Sequence, residues 1–491
     1  MNRTKIGGRL ATALGASLWL ASAAAAQAPP SPLSFKVGDA TILPFLSDRV
    51  RVEAVDWFDP GTGGGEESYA FVANVIRFGA TARRGSFEAT IEGQEVELLG
   101  LPDDAIGLGP GGTYFQNTAD EDQRELHLRR AVLQWSDVAV KGLRLSGGRY
   151  ILNDGLETTA ADASLSWLKK SRISQRLIGG FEYTHTGRSF DGGSLRYARA
   201  PWDFTLAGGR PTAGGFNISA NNEVEDVGIL YAAVTATEPT WLPRSDGRLF
   251  YLLYTDDRGV VVTDNRTLPA RQADDGDLVV HTVGANFEGV RRVGVGDVDV
   301  LVWAAGQAGQ WQALDHAAWA LAVEGGYRFV DVAMKPWIRA GWFRGSGDDD
   351  PNDGDHDTFF QVLPTARLYA QTPFFNMMNN EDVFVQAIVA PRDGLSVRVD
   401  YHHLWATEGD DLVYAGGGAT MSQPVFGYAG YSARGHSSIA DFVDVSVDWT
   451  LSPHWKLSVY YGHAFGDSVI DAQYPGGSDL DYGYFELTAT L

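Results

Sequence analysis

The sequence predicts an all-β chain: a single transmembrane, antiparallel, up-and-down barrel of about eighteen strands, with short periplasmic turns and long extracellular loops. Three observations lead there. Apolar and polar residues alternate with period two almost everywhere from residue 48 onward, the pattern of a strand with one apolar and one polar face. The connections between these runs alternate long and short, as in outer-membrane barrels. No later segment offers the roughly 18 consecutive apolar residues of a membrane-crossing helix, whereas runs of about 10 residues suit a tilted transmembrane strand.

The chain then reads in order. Residues 1–26 form a signal peptide: Arg3, Lys5 and Arg9 precede an apolar run from Leu10 to Ala21, and Ala24, Ala25 and Ala26 supply the cleavage site. Residues 27–47 are expected as a periplasmic N-terminal segment and 48–491 as the barrel. Strands are expected near 48–58, 69–83, 86–97, 123–135, 142–152, 190–200, 203–210, 227–236, 247–256, 278–289, 297–307, 316–328, 335–344, 382–390, 395–406, 440–450, 455–466 and 481–491. Phe87, Ala89 and Ile91, for example, alternate with Glu88, Thr90 and Glu92. The long connections include 98–122, 153–189, 257–277, 345–381 and 407–439; the alternation is least marked at 308–315. An even strand count returns both termini to the periplasm. Trp57, Trp135, Trp202, Trp241, Trp342, Trp405, Trp449 and Trp455 fall near strand ends, where aromatic girdles meet the membrane interface. Phe485, Leu487, Ala489 and Leu491 give the last strand one apolar face, fit to close the sheet in lipid. Helical periodicity is confined to a brief stretch near Asp162 to Lys170.

Composition narrows the function. Cysteine is absent, so no disulfide staples an exported chain of this size. The net charge of −23 makes nucleic acid an unsuitable partner. Among the bases Arg outnumbers Lys by 32 to 7, and Arg is the residue suited to bidentate carboxylate recognition. HExxH, GxSxG and P-loop signatures are missing. A channel, not an enzyme, is expected.

If the apolar faces meet lipid, Arg77, Arg129, Arg144, Arg196, Arg339 and Arg398 point into the lumen, with Glu88, Glu92 and Asp400 beside them. Arg149 joins them only if Gly147 and Gly148 form a bulge. Guanidinium groups at several heights offer an anionic solute successive charge-assisted contacts; the structural alternative is that lumenal Arg–Glu pairs brace the barrel. His402 and His403 are strand neighbours facing opposite ways, so they cannot share a ligand, and His402 is expected in the lumen. Loop 153–189 is expected at the pore, with Arg176, Glu182, Arg188 and Asp191 as its constriction residues and Glu182 or Asp191 as partner of Arg188. No cofactor is expected, unless Asp353, Asp355 and Asp357 hold calcium in what otherwise reads as a solvated acidic loop.

These stretches resemble the alginate export family of Gram-negative outer-membrane proteins. The likeness lies in Leu128 to Leu133 followed by Leu143 to Tyr150, in Arg176 to Glu182 and Arg188 to Gly192, and in Leu363-Pro364-Thr365 with Asn379. It continues in Asp400 to His403, Tyr414, and Asp444 to Trp449. Two departures stand out: Tyr150 follows Arg149 where the family pattern suggests glutamine, and Ala366 stands where histidine would suit it. The resemblance implies a monomeric, porin-like barrel in the outer membrane that conducts an anionic, alginate-like polysaccharide. Loops 153–189 and 345–381 would fold into or over the pore. The partners would be outer-membrane lipid, the polysaccharide and periplasmic export components. Uptake of anionic oligosaccharides or other small solutes is the alternative.

Overall fold

Period-two alternation produces strands that close on themselves in the computed structural model, which describes residues 33–61, 65–107, 109–238, 242–364 and 368–491. The signal segment 1–26, Trp241, Thr365 and Ala366 lie outside the described residues. Eighteen strands form the wall in chain order. They are β1 Ala40–Asp56, β2 Ser68–Arg84, β3 Phe87–Leu99, β4 Gln123–Ser136, β5 Leu143–Tyr150 and β6 Phe190–Arg199. Next come β7 Trp202–Pro211, β8 Val227–Thr237, β9 Ser245–Asp256, β10 Leu278–Val293, β11 Gly296–Trp311 and β12 Leu314–Arg328. The last are β13 Trp337–Gly345, β14 Asn380–Arg392, β15 Leu395–Ala406, β16 Ser438–Ser452, β17 Trp455–Gly466 and β18 Asp479–Thr490. Neighbours pair antiparallel throughout, and β1 pairs with β18 from Ser47↔Thr490 to Asp56↔Asp481. The seam is thereby closed, which satisfies backbone groups that lipid could not.

Among the described residues, one rim carries only short turns, at 85–86, 137–142, 200–201, 294–295, 329–336, 393–394 and 453–454, and β8 gives way to β9 at the same rim. The opposite rim carries the long loops, broken by one tight turn at 312–313. The expected strands and the observed ones agree in order and number. Several boundaries move by a few residues, and two of these shifts change the reading. β1 begins at Ala40, and a short strand, Phe35–Val37, folds back on it, so residues 40–47 belong to the wall and not to a separate N-terminal segment. The expected loop 308–315 is mostly strand, because Trp311 and Leu314 pair across the tight turn. Outward positions such as Ile91, Leu126, Leu133, Leu249, Val283 and Val323 are apolar and exposed, as a lipid-facing surface requires.

The interior is not uniformly polar. Inward positions of β9 to β14 include Leu252, Tyr254, Val280, Trp303, Phe343 and Phe384, all buried. Loop 151–189 covers them. It contains a short helix, Ala163–Leu168, where the brief helical periodicity predicted one; Asp162 caps it, with Oδ1 accepting from the Leu165 N–H at 2.9 Å. The loop runs the depth of the lumen. Lys169 pairs with Asp246, Asp162 with Arg244, and Ser164 Oγ accepts from Arg328 at 3.0 Å, all at the short-turn rim. Loop 346–379 interlocks with it: the Leu363 N–H donates to Leu177 O at 2.7 Å and the Gly179 N–H to Leu363 O at 2.8 Å. A hairpin, Leu412–Ser422 with Val425–Ser432, adds a third layer through the Ala419 N–H to Val362 O at 2.9 Å. Gly417 of this hairpin lies so close to Phe181 that any Cβ would overlap the ring.

Candidate translocation path

Register fixes which side chains enter the lumen. Arg77 on β2 stands opposite Gln94 on β3, and its Nε donates to Gln94 Oε1 at 2.6 Å. On β4 the pairing jumps from Gly93↔Leu128 to Glu92↔Arg130, leaving Arg129 as the extra residue of a bulge. Both arginines therefore turn inward. Arg129 Nη1 donates to Glu92 Oε1 at 2.7 Å, and Arg130 bonds to Glu92 Oε2. The second carboxylate here comes from the loop: Glu182 pairs with Arg129, and Arg77 Nη1 lies 3.9 Å from Glu182 Oε1. The Arg130 and Glu182 side chains remain 35% and 30% exposed, so this corner of the lumen is wet.

Above it, Val50 and Val52 face lipid while Arg49 and Arg51 grip the loop backbone. Arg49 donates to Glu182 O at 3.2 Å and Thr184 O at 3.0 Å, and Arg51 to Tyr183 O at 2.9 Å. Gln94 Nε2 adds a bond to Thr186 O at 2.7 Å. Glu53 and Glu486 balance Arg51 at 3.2 and 2.7 Å.

Across the lumen, Glu324 of β12 is a fully buried hub. It accepts from Arg172 at 2.8 and 2.9 Å, from Arg339 at 3.1 Å and from Arg176 at 3.4 Å. Arg339 also holds Asp299 at 3.0 Å, and Arg176 reaches Tyr369 Oη at 3.0 Å. Arg339, expected to line the lumen, and Arg176, expected at the constriction, are thus sealed under the loops and act as braces. Arg398 pairs with Asp400 and with Tyr369 O at 3.1 Å. His402 Nδ1 meets Asp382 at 2.9 Å and lies buried behind them. Arg144 and Arg196 face each other near the short-turn rim, where Arg196 Nε donates to Asp203 at 2.8 Å.

Three expectations need correction. Arg149 is not lumenal: β4–β5 pairing runs without a shift from Ser136↔Arg144 to Ala131↔Arg149, so no Gly147–Gly148 bulge turns it inward. It shares the outward face of Ala131 and Leu133, near the long-loop rim. Asp191 pairs with it there, Nε to Oδ1 at 2.7 Å, and takes no part in the constriction. Arg149 Nη1 also caps Leu128 O at 3.1 Å, beyond the end of β5. Arg188 has no carboxylate partner among the described residues. Its guanidinium donates to Gly417 O at 2.5 Å, Pro364 O at 3.3 Å and Gly179 O at 3.5 Å, joining three loop segments at one point. In the acidic loop, Asp353 Oδ1 accepts from the Asp355 N–H at 2.9 Å, and among the described residues no group of three or more carboxylates or histidines placed to hold a metal ion is found.

Where the three loops meet, next to Phe181, Gln361, Tyr369 and Gly416, lies a cavity of about 40 Å³, large enough for water. In the long loops, burial lifts two carboxyls: Asp348 to about 7 and Asp411 to about 6, the latter despite hydrogen bonds from Thr358, Leu412 and Tyr414. Sequence reading missed Arg49, Arg51, Arg130, Arg172 and Glu324. The alternation Arg49-Val50-Arg51-Val52-Glu53 carried a legible signal for the first two. Arg130 needed the bulge, and the Glu324 hub needed tertiary structure.

A closed, loop-filled barrel with an apolar belt and an arginine-bearing lumen defines an outer-membrane channel. The alginate export family model matches residues 111–477, and the chain belongs to that family. No curated protein matches it in sequence. Among solved structures it is similar to OccK9 (OpdG) of Pseudomonas aeruginosa, with 12% identity, 92% of this chain and 98% of that one covered, and a TM-score of 0.56. A BenF-like porin from Pseudomonas fluorescens Pf-5 gives 10%, 93%, 99% and 0.55. OccK2 (OpdF) of Pseudomonas aeruginosa, solved in complex with glucuronate, gives 10%, 91%, 98% and 0.53. At these identities the likeness is one of fold.

Proposed function

We propose that the protein is a passive outer-membrane channel for an acidic, uronate-bearing polysaccharide of the alginate type, carried outward. The observation that supports this most is the wet corner of the lumen, where the three guanidinium groups of Arg77, Arg129 and Arg130 are paired with two carboxylates, Glu92 and Glu182. Guanidinium groups suit carboxylates geometrically, and neighbouring acids keep each contact weak enough to release. The short-turn rim and both termini face the periplasm in this reading, and one barrel forms one path. A second reading, uptake of short anionic saccharides, is favoured by the interlocked loops, which a polymer in transit must part. The glucuronate complex of OccK2 is in keeping with it.

Flux from proteoliposomes tests both. Oligouronates should cross faster than neutral oligosaccharides of equal length. Equal rates would contradict the anionic path. Flux that persists as the chain lengthens supports the polymer, and flux that stops beyond a few sugar units selects uptake.

A further inference from the structure

We propose that Glu182 is a built-in competitor: its carboxylate occupies a uronate carboxylate subsite formed by Arg77, Arg129 and Arg130, and an arriving uronate displaces it. This rests on the anionic path proposed above and names the contact at which it is regulated.

Backbone and side chain of this residue are held by different means. Its carbonyl and those of Tyr183, Thr184 and Thr186 are pinned by Arg49, Arg51 and Gln94. The carboxylate reaches separately to Arg129 and Arg77. Releasing it therefore leaves the loop in place. Exposure separates this pair from the braces. The side chains of Glu324, Arg172 and Arg176 are 0% exposed and that of Glu182 is 30%, so water screens the Glu182 contacts and a solute reaches them. Charge gives the direction. Once Glu182 swings away, Glu92 remains paired with Arg129 and Arg130, and Arg77 keeps its bond to Gln94 but loses its nearest carboxylate. The vacated place carries the charge and the donor geometry that a carboxylate needs. Two strand positions nearer the short-turn rim, Thr81 and Thr90 pair their hydroxyls at 2.9 Å on the same face, within the reach of a sugar bound through its carboxylate. Glu182 then sets a threshold: solutes without a carboxylate do not exchange with it.

Block of single-channel current by sodium glucuronate, with glucose as the neutral control, measures the exchange. Glu182→Gln should lower the apparent dissociation constant for glucuronate about tenfold and leave the response to glucose unchanged. Adding Arg129→Ala to that variant should remove the gain. Glucuronate affinity unchanged in Glu182→Gln, while the unmodified channel still passes uronates, overturns the proposal and spares the anionic path. An equal rise in glucose permeation shows that Glu182 merely braces the loop and also overturns it. No response to glucuronate in any variant overturns both readings.

Discussion

Arg188 shows how far a residue's role can depart from what its charge suggests. It bonds to three carbonyls from loops 151–189, 346–379 and 407–437 and stacks 5.3 Å from the Phe181 ring centroid. Bonds from a charged donor contribute about 1.5–3 kcal/mol each when well formed. Arg188→Ala should therefore unlock the loops from one another without disturbing the strands. The expected result is noisier, larger single-channel conductance with unchanged β content by circular dichroism. Arg188→Lys should not restore the quiet channel, because an ammonium lacks the fork that spans several acceptors. Arg149 makes the opposite case. It faces outward and is tied to Asp191. Arg149→Ala should leave ion selectivity unchanged, whereas Arg129→Ala should reduce it; reversal potentials of the two variants check this. Alternation alone gave the inward direction of Arg77 and Arg398. It could not tell an open arginine from one sealed under a loop, as Arg339 is, because that depends on Glu324, 15 residues away, and on a loop whose Arg172 reaches Glu324 across 152 residues.

At the scale of elements, loop 151–189 is held by charge at both ends of the lumen. Glu324 compensates Arg172, Arg176 and Arg339 together. Removing one member of a buried ion network costs about 3–5 kcal/mol, since it strands the remaining charges. Glu324→Gln should therefore expose the loop to protease at Lys169 and Lys170 well before the wall unfolds in denaturant. The long loops carry a pH dependence of their own. Burial raises Asp348 to about 7 and Asp411 to about 6, above their unfolded values. Carboxyls of this kind favour the folded loops below the unfolded pKa, and that contribution is lost as pH rises through the folded values. Loops 346–379 and 407–437 should thus be tighter at pH 5 than at pH 8, read as lower current noise, and Asp411→Asn should flatten the difference. Strand order and the long–short alternation of connections were legible because lipid forces one apolar face on every strand. The interlocking of loops was not, since the Leu177–Leu363 and Val362–Ala419 bonds join segments with no common periodicity.

For the whole molecule, net charge and path charge point in opposite directions. The sum is −23, yet Asp349, Asp350, Asp353 and Asp355 crowd the long loop 346–379, away from the corner where Arg77, Arg129 and Arg130 meet. A channel is selective through the charges that line its path, because a permeating ion passes within a Debye length of them and far from charges on distant loops. The zero-current potential of the purified protein in a planar bilayer under a potassium chloride gradient tests this most directly. The account predicts preference for chloride, weakened when Arg77, Arg129 and Arg130 are all replaced by Ala. Preference for potassium in the unmodified channel would contradict it.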